Sequence, residues 1–186
     1  MGLEPIIVCG ETNNTISSRI IKVREICDNA GIQCRVTENI LRELWGKFIA
    51  ICVSALLAVT RSTYGEVREL KETRQLMQDL LTEIYALSVK MAIPLEADIV
   101  EKTMGIIDSY PYDLTSSLTR DVWEGRPSEI EYQNGSVVKL GEKYNVETPV
   151  NRFIYNCILP MERRARISRE TTKSLEQDAK TNYAAP

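Results

Sequence analysis

Residues 41–60 read LRELWGKFIAICVSALLAVT, and the reading of this stretch decides the fold. Beyond Lys47 the run carries no charge until Arg61, and its apolar side chains point in nearly every direction around a 3.6-residue helix. A helix that is apolar all round is buried all round, so one continuous helix over 41–60 is expected at the centre of a helical core. The uncharged part, 48–60, falls short of the roughly twenty residues that cross a bilayer.

Working outward, helical periodicity continues downstream. Gly65 opens a long helix to about residue 91, with Val67, Leu70, Met77, Leu81, Ile84 and Leu87 on one face. A further helix is expected over 96–108, then a break at SYPYD (109–113) and a short helix over 115–124 stopped by Gly125. Pro127 suits the first position of another helix. Val150, Phe153, Ile154, Cys157, Ile158 and Met161 mark a last amphipathic helix with Pro149 at its start. Arg163, Arg164, Arg166 and Arg169 on it read as cations near a helix C-terminus rather than ligand-binding groups. After Ser168 the sequence is small and polar, a loose tail over 171–186. One local signal conflicts with this reading. Gln133-Asn134-Gly135-Ser136 between apolar residues is a hairpin cue, yet Ile130, Val137, Val138, Leu140 and Tyr144 fit a helix about as well.

Upstream the pattern changes. PIIVCG (5–10) is a short buried-strand run, and Ile16, Ile20, Val23, Cys27 and Ala30 form one helical stripe capped by Gly31. Ile32, Cys34 and Val36 then alternate with polar residues, a second strand over 32–36. Strand, helix, strand is a βαβ unit, which requires a parallel sheet covered on both faces. One unit does not supply that sheet, so 1–38 reads as the end of an α/β domain.

Composition narrows the chemistry. The 186 residues are 44% apolar and 26% charged with net charge −3, values of an ordinary globular protein with no nucleic-acid or anionic-membrane signature. The chain contains no histidine, which excludes serine–histidine triads, cysteine–histidine dyads and HExxH zinc sites. Acid–base chemistry falls to Lys, Tyr, Cys or carboxylates. Five widely spaced cysteines (Cys9, Cys27, Cys34, Cys52 and Cys157), without a CxxC, read as small core hydrophobes in a reducing compartment. MGLEPIIVCG has neither a basic n-region nor a myristoylation signal. A cytoplasmic location is expected.

Two places carry candidate chemistry. Ser117 and Asp121 stand four apart on the short helix, and Glu129 falls in the first turn of the next, where the helix field favours an anion. They converge on one cleft, or else serve as capping and solvated residues. Lys47 lies between Trp45 and Phe48, and either snorkels to water or acts as a partly desolvated proton donor held by a carboxylate such as Glu129.

LWGKF (44–48), Tyr64-Gly65-Glu66-Val67, SSLTRDVWEGRPSEIEYQNGSVVKLGEKYNVETPVN (116–151) and the last helix closely resemble the ketopantoate reductase family. The resemblance runs from about 5 to 162, and its most specific part is Ser117, Asp121, Arg126, Glu129 and Asn134-Gly135 in fixed register. It implies a mainly α fold. A 6-phosphogluconate-dehydrogenase-like helical domain over 39–170 follows a Rossmann remnant over 1–38, with 134–135 helical. It also implies that Lys47 protonates the keto oxygen while NADPH delivers hydride. Ser117 would contact the substrate carboxylate, Glu129 would neighbour lysine, substrate hydroxyl and cofactor, and Asp121 would support the site.

The sequence departs from the family in two ways. Ile51, Ala55 and Tyr64 stand where the family often has substrate-holding asparagines. The nine glycines (2, 10, 31, 46, 65, 105, 125, 135 and 141) never lie two apart, so the GxGxxG that holds a dinucleotide does not occur. The expectation is therefore the C-terminal piece of a 2-keto-acid reductase, binding no NADPH by itself. Its long apolar faces favour a homodimer. The alternative is a non-catalytic helical dimerisation or interaction module.

Overall fold

The computed structural model describes residues 5–183, with the side chains of 5–171. Among these residues the order is β1 (Ile6–Cys9), α1 (Ser18–Asn29), β2 (Gln33–Val36), α2 (Ile40–Ile51), α3 (Ser54–Thr60) and α4 (Tyr64–Glu69). It continues with α5 (Lys71–Lys90), α6 (Ile99–Asp108), α7 (Ser117–Trp123), α8 (Asn134–Tyr144) and α9 (Pro149–Tyr183). The architecture is the mainly α one expected, preceded by a βαβ unit.

In that unit β1 and β2 pair in parallel, Ile6 opposite Gln33 through Cys9 opposite Val36. Ser17 caps α1 by accepting from Ile20 N, and Gly31 turns the chain into β2 with φ +72°. Two strands cover little surface. Ile20 is buried, but Ile6, Ile7, Ile16, Val23, Ile26 and Ile32 stay exposed, so most of the α1 stripe faces outward rather than inward.

The central run does not form one helix. It breaks between α2 and α3 at Cys52 and Val53, which keep helical dihedrals but tighten the turn: Ala55 N and Leu56 N reach only to Cys52 O (3.4 Å) and Val53 O (3.0 Å). Side chains from other helices take the carbonyls along this stretch. Asn134 Nδ2 donates to Cys52 O at 3.2 Å, Thr119 Oγ1 to Ser54 O at 3.0 Å, and Trp123 Nε1 to Ala58 O at 3.2 Å. A buried carbonyl must be paired, and here α7 and α8 supply the donors. Ile40–Thr60 as a whole is long and apolar enough to cross a membrane, which the shorter uncharged run does not indicate. In the fold, Ile49 and residues 52–58 are buried by neighbouring helices.

The expected helix over 65–91 is likewise two. Leu70 leaves helical geometry (φ −85°, ψ 125°) and is exposed, while Thr73 Oγ1 donates to Val67 O and Leu70 O at the break. α4 starts at a capping box in which Thr63 and Glu66 satisfy each other's backbone N–H. α5 is the axis of the core. Met77, Leu80, Leu81, Ile84 and Leu87 are fully buried, and α5 packs against α2, α4, α6, α8 and α9. Burying each such side chain contributes roughly 1.5–3 kcal/mol.

Three further expectations change. Pro127 does not open a helix. Residues 127–129 are irregular and 130–133 form turns, and the helix starts at Asn134, which removes Glu129 from a helical first turn and excludes the hairpin. The backbone of α9 stays helical to Tyr183, over most of the stretch expected as a loose tail; 184–186 lie outside the described residues. Of the cysteines only Cys52 is a core residue. Cys9, Cys27 and Cys34 are half-buried, with Cys9 Sγ 3.7 Å from Cys34 Sγ, and Cys157 is exposed.

Candidate active site

Two carboxylates, one half-buried and one buried, hold the walls of the site in place. Glu83 on α5 accepts from Val150 N (2.7 Å), Asn151 N (3.0 Å) and Asn151 Nδ2 (2.7 Å), so its carboxylate caps the start of α9 across the core. Asn151 passes this on: its Oδ1 accepts from Asn134 Nδ2 at 2.9 Å, and its Nδ2 also reaches Leu80 O. The second is Glu162, 5% exposed. It accepts from Ser128 N (2.9 Å) and Ser128 Oγ (2.7 Å) and forms an ion pair with Arg166, which also donates to Ser128 O at 3.2 Å. Arg166 is thus a mid-helix partner of Glu162, not a terminal cation. Together these contacts tie the irregular turns of 127–133 to α9.

Tyr132 of that segment and the start of α8 form one wall of a cleft of about 430 Å³. Leu44, Trp45, Lys47, Phe48 and Ile51 of α2 line one side, and Tyr132, Ser136 and Leu140 the other. Trp45 meets Phe48 edge to face, centroids 5.4 Å apart. Tyr132 is 73% exposed at the rim. Lys47 also borders a second cleft of about 550 Å³ with Ile6 and Val8 of β1, Ile40, Glu43, Glu96 and Ile99. It therefore stands on a ridge between the βαβ unit and the helical domain. Its side chain makes no hydrogen bond or ion pair among the described residues.

The other expected site residues lie apart from that lysine. Ser117 is the first residue of α7 and exposed; its neighbour Ser116 is the cap, accepting from Thr119 N at 3.1 Å. Asp121 does not meet Ser117 but accepts from Arg126 Nε (3.0 Å) and Nη2 (2.8 Å), bracing the corner where Gly125 takes φ +68°. Glu129 is exposed, and its carboxylate takes only a long 3.4 Å bond from Gln133 Nε2. No hydrogen bond or ion pair joins any two of Lys47, Ser117, Asp121 and Glu129 among the described residues.

Of the three departures, Ile51 alone lines the cleft. Ala55 is fully buried, and Tyr64, 6% exposed, packs edge to face on Tyr110 at 5.1 Å. Sequence reasoning missed the roles of Glu83, Asn151, Glu162 and Tyr132. For α9 a signal existed: Asn151 and Glu162 sit in the same stripe as Ile154, Ile158 and Ala165, polar residues at core positions.

Among the described residues neither a metal nor a dinucleotide finds a cradle. Among the described residues no group of three or more His, Cys, Asp or Glu is placed to hold a metal ion. The turn from β1 into α1 carries Glu11, whose carboxylate accepts from Ser17 Oγ (2.5 Å) and Arg19 Nη2 (2.5 Å). Arg19 and Ser17 hold that carboxyl below its usual range, so it stays anionic. A pyrophosphate needs free N–H groups and positive field at such a turn. These residues do not fit it.

Comparison with known proteins agrees with this fold. The family model described as ketopantoate reductase PanE/ApbA C terminal matches residues 39–162. The 2-dehydropantoate 2-reductase of Aquifex aeolicus is 30% identical over 159 residues, 80% of this chain and 49% of that protein. A PanE/ApbA family ketopantoate reductase crystal structure from Ralstonia eutropha JMP134 superposes with TM-score 0.77 at 25% identity, covering 87% of this chain and 52% of the other. A dimeric ketopantoate reductase from Staphylococcus aureus shares the fold, with TM-score 0.75 at 20% identity, over 81% of this chain and 53% of its own. The chain spans about half the length of the curated relatives it matches. With a family match over 39–162, the chain belongs to the ketopantoate reductase PanE/ApbA C-terminal family.

Proposed function

We propose that this chain is the substrate-side domain of an NADPH-dependent 2-keto-acid reductase of the 2-dehydropantoate 2-reductase type, with Lys47 as general acid. The observation that carries the reading is the unpaired Lys47 side chain at the edge of a cleft lined by Trp45, Phe48 and Tyr132. The turn at Glu11 does not fit the nucleotide, so a nicotinamide bound by a separate dinucleotide-binding domain would supply the hydride. The role left to this chain is to bind the keto acid and manage one proton. Reduction turns the keto oxygen into an alkoxide, and the Lys47 ammonium both stabilises that charge and donates the Nζ proton to it. By the family resemblance Glu129, on the turn that also carries Tyr132, would neighbour the lysine and Ser117 would contact the substrate carboxylate, with Asp121 bracing the corner between them through Arg126. A homodimer in the cytoplasm is part of the same proposal; free thiols at Cys9, Cys27, Cys34, Cys52 and Cys157 suit a reducing compartment.

The test joins these residues to a dinucleotide-binding domain and follows NADPH consumption with a 2-keto acid. Lys47→Ala should lower kcat and kcat/KM together by about 10²–10⁴-fold, the contribution of a positioned acid. A kcat within a few fold of the unsubstituted protein refutes the assignment. The non-catalytic helical module is then the better reading, favoured by the core positions of Ala55 and Tyr64.

A further inference from the structure

We propose that Cys9 and Cys34 are a redox-active pair whose disulfide, formed by exchange with a small-molecule disulfide such as oxidised glutathione, locks the βαβ unit. Cys9 ends β1 and Cys34 is the second residue of β2. In the parallel register Cys34 stands opposite Ile7 and Cys9 opposite Val36, so the two cysteines share one face of the sheet, diagonally across the ladder. Their Sγ atoms are 3.7 Å apart, in van der Waals contact. A disulfide spans roughly 2.0 Å, which leaves about 1.7 Å for rotation about the Cα–Cβ bonds and the give of a two-stranded sheet to close. α1 packs against β2, and its Cys27 thiol also meets Cys34. The other two cysteines belong to the helical domain: Cys52 is fully buried in its core, and Cys157 is exposed on α9.

One thiol of the pair, as its thiolate, attacks oxidised glutathione, forms a mixed disulfide and releases the first glutathione thiolate. The second thiol attacks the protein sulfur of that mixed disulfide, the Cys9–Cys34 bond forms, and the second glutathione leaves. The pair gives up two electrons and two protons, which depart on two reduced glutathione molecules. Burial pushes the Cys27 and Cys34 thiols up, so thiolate is scarce at neutral pH, while contact within the pair favours the closing step. The consequence is local. The β1–β2 ladder has four residue pairs, and an isolated pair of strands is marginal in water. A Cys9–Cys34 bond closes 10–33 into a loop and removes open states from it. Val8, beside Cys9 on β1, lines the 550 Å³ cleft that Lys47 borders, so the bond also fixes a wall of that cleft.

The test uses the 186-residue chain with Cys157→Ser, which removes the exposed thiol that would link copies to one another. The protein is incubated with oxidised glutathione, remaining thiols are alkylated after denaturation, and a non-reduced digest is read by mass spectrometry. The expected result is one internal disulfide, Cys9 to Cys34, with Cys27 and Cys52 alkylated and full reversal by dithiothreitol. Amide hydrogen exchange across β1 and β2 should slow by at least about tenfold on oxidation, a modest share of what closing such a loop typically gives. Cys34→Ala leaves Cys9 without its contact and should give neither the internal disulfide nor the slowing. Should that variant lose its folded spectrum, Cys34→Ser keeps the size of the side chain and makes the same comparison. A bond from Cys34 to Cys27, or any bond to Cys52, overturns the assignment of the pair. A chain that stops at a glutathione adduct overturns the closing step, and a Cys9–Cys34 bond that leaves exchange unchanged overturns the lock.

Discussion

Asn134→Ala is the substitution whose outcome follows most directly from the structure. Asn134 is fully buried, and its Nδ2 bridges Cys52 O (3.2 Å) at the α2–α3 break and Asn151 Oδ1 (2.9 Å) on α9. Removing the amide leaves Asn151 Oδ1 without its donor and Cys52 O with only the long 3.4 Å bond from Ala55 N, together costing about 2–4 kcal/mol in a dry interior. The missing volume adds on the order of 1 kcal/mol, and alanine's better helix propensity returns roughly half of that. The expected loss is about 3–5 kcal/mol, a large share of the roughly 5–15 kcal/mol available to a folded domain. Urea denaturation followed by circular dichroism should show the midpoint falling with the slope unchanged. Thermal melts should drop by roughly 6–20 °C. Combining it with Asn151→Ala should cost much less than the sum, because both act on one network. An Asn at an exposed hairpin turn would instead cost about 1 kcal/mol or less. A loss that small, or strict additivity with Asn151→Ala, refutes the bridging role.

Further outcomes follow from other contacts. Glu162→Ala removes both carboxylate bonds to Ser128 and the ion pair with Arg166, so it should cost about 2–4 kcal/mol in chemical denaturation and speed proteolysis within 127–133. Gly65→Ala should cost about 1–3 kcal/mol, since a Cβ there would lie 2.3 Å from the Tyr112 ring; an unchanged melting temperature would contradict that packing. Glu131 is held below its usual carboxyl range by Lys139 and then by the Tyr155 hydroxyl, and Asp108 by Arg74. A carboxyl whose folded pKa is depressed stabilises the fold above its ordinary pKa and loses that contribution as pH falls through the folded value. Melting temperature should therefore decline on acidification below about pH 4.5, and Glu131→Gln should flatten the decline.

Periodicity and composition were enough to place the strands at 5–9 and 32–36, the helical domain beyond them, and α5 as an amphipathic core helix. These features depend on which side chains leave water, and that is written locally as a repeat of 2 or 3.6. The absence of histidine and of GxGxxG was equally plain, because the absence of a residue type or spacing needs no fold to interpret.

The breaks were not visible in the same way. Nothing within residues 41–60 calls for a tightened turn at Cys52 and Val53; the cause lies in Asn134 and Thr119, which arrive from 82 and 65 residues away to take the carbonyls. Asn134-Gly135 shows the same limit. Alone it signals a hairpin, yet in the fold Asn134 bridges two helices, and a Cβ on residue 135 would meet the Tyr155 ring at 2.9 Å. Lys47 and Ile51 were legible as neighbours on one helix, but that they share a cleft with Tyr132 and Leu140 was decided only when Glu162 and Glu83 tied the turns and α9 across the core. Local sequence determines which surfaces must be buried. Which distant polar group satisfies each buried acceptor, and hence where helices break and clefts open, is settled only by tertiary packing.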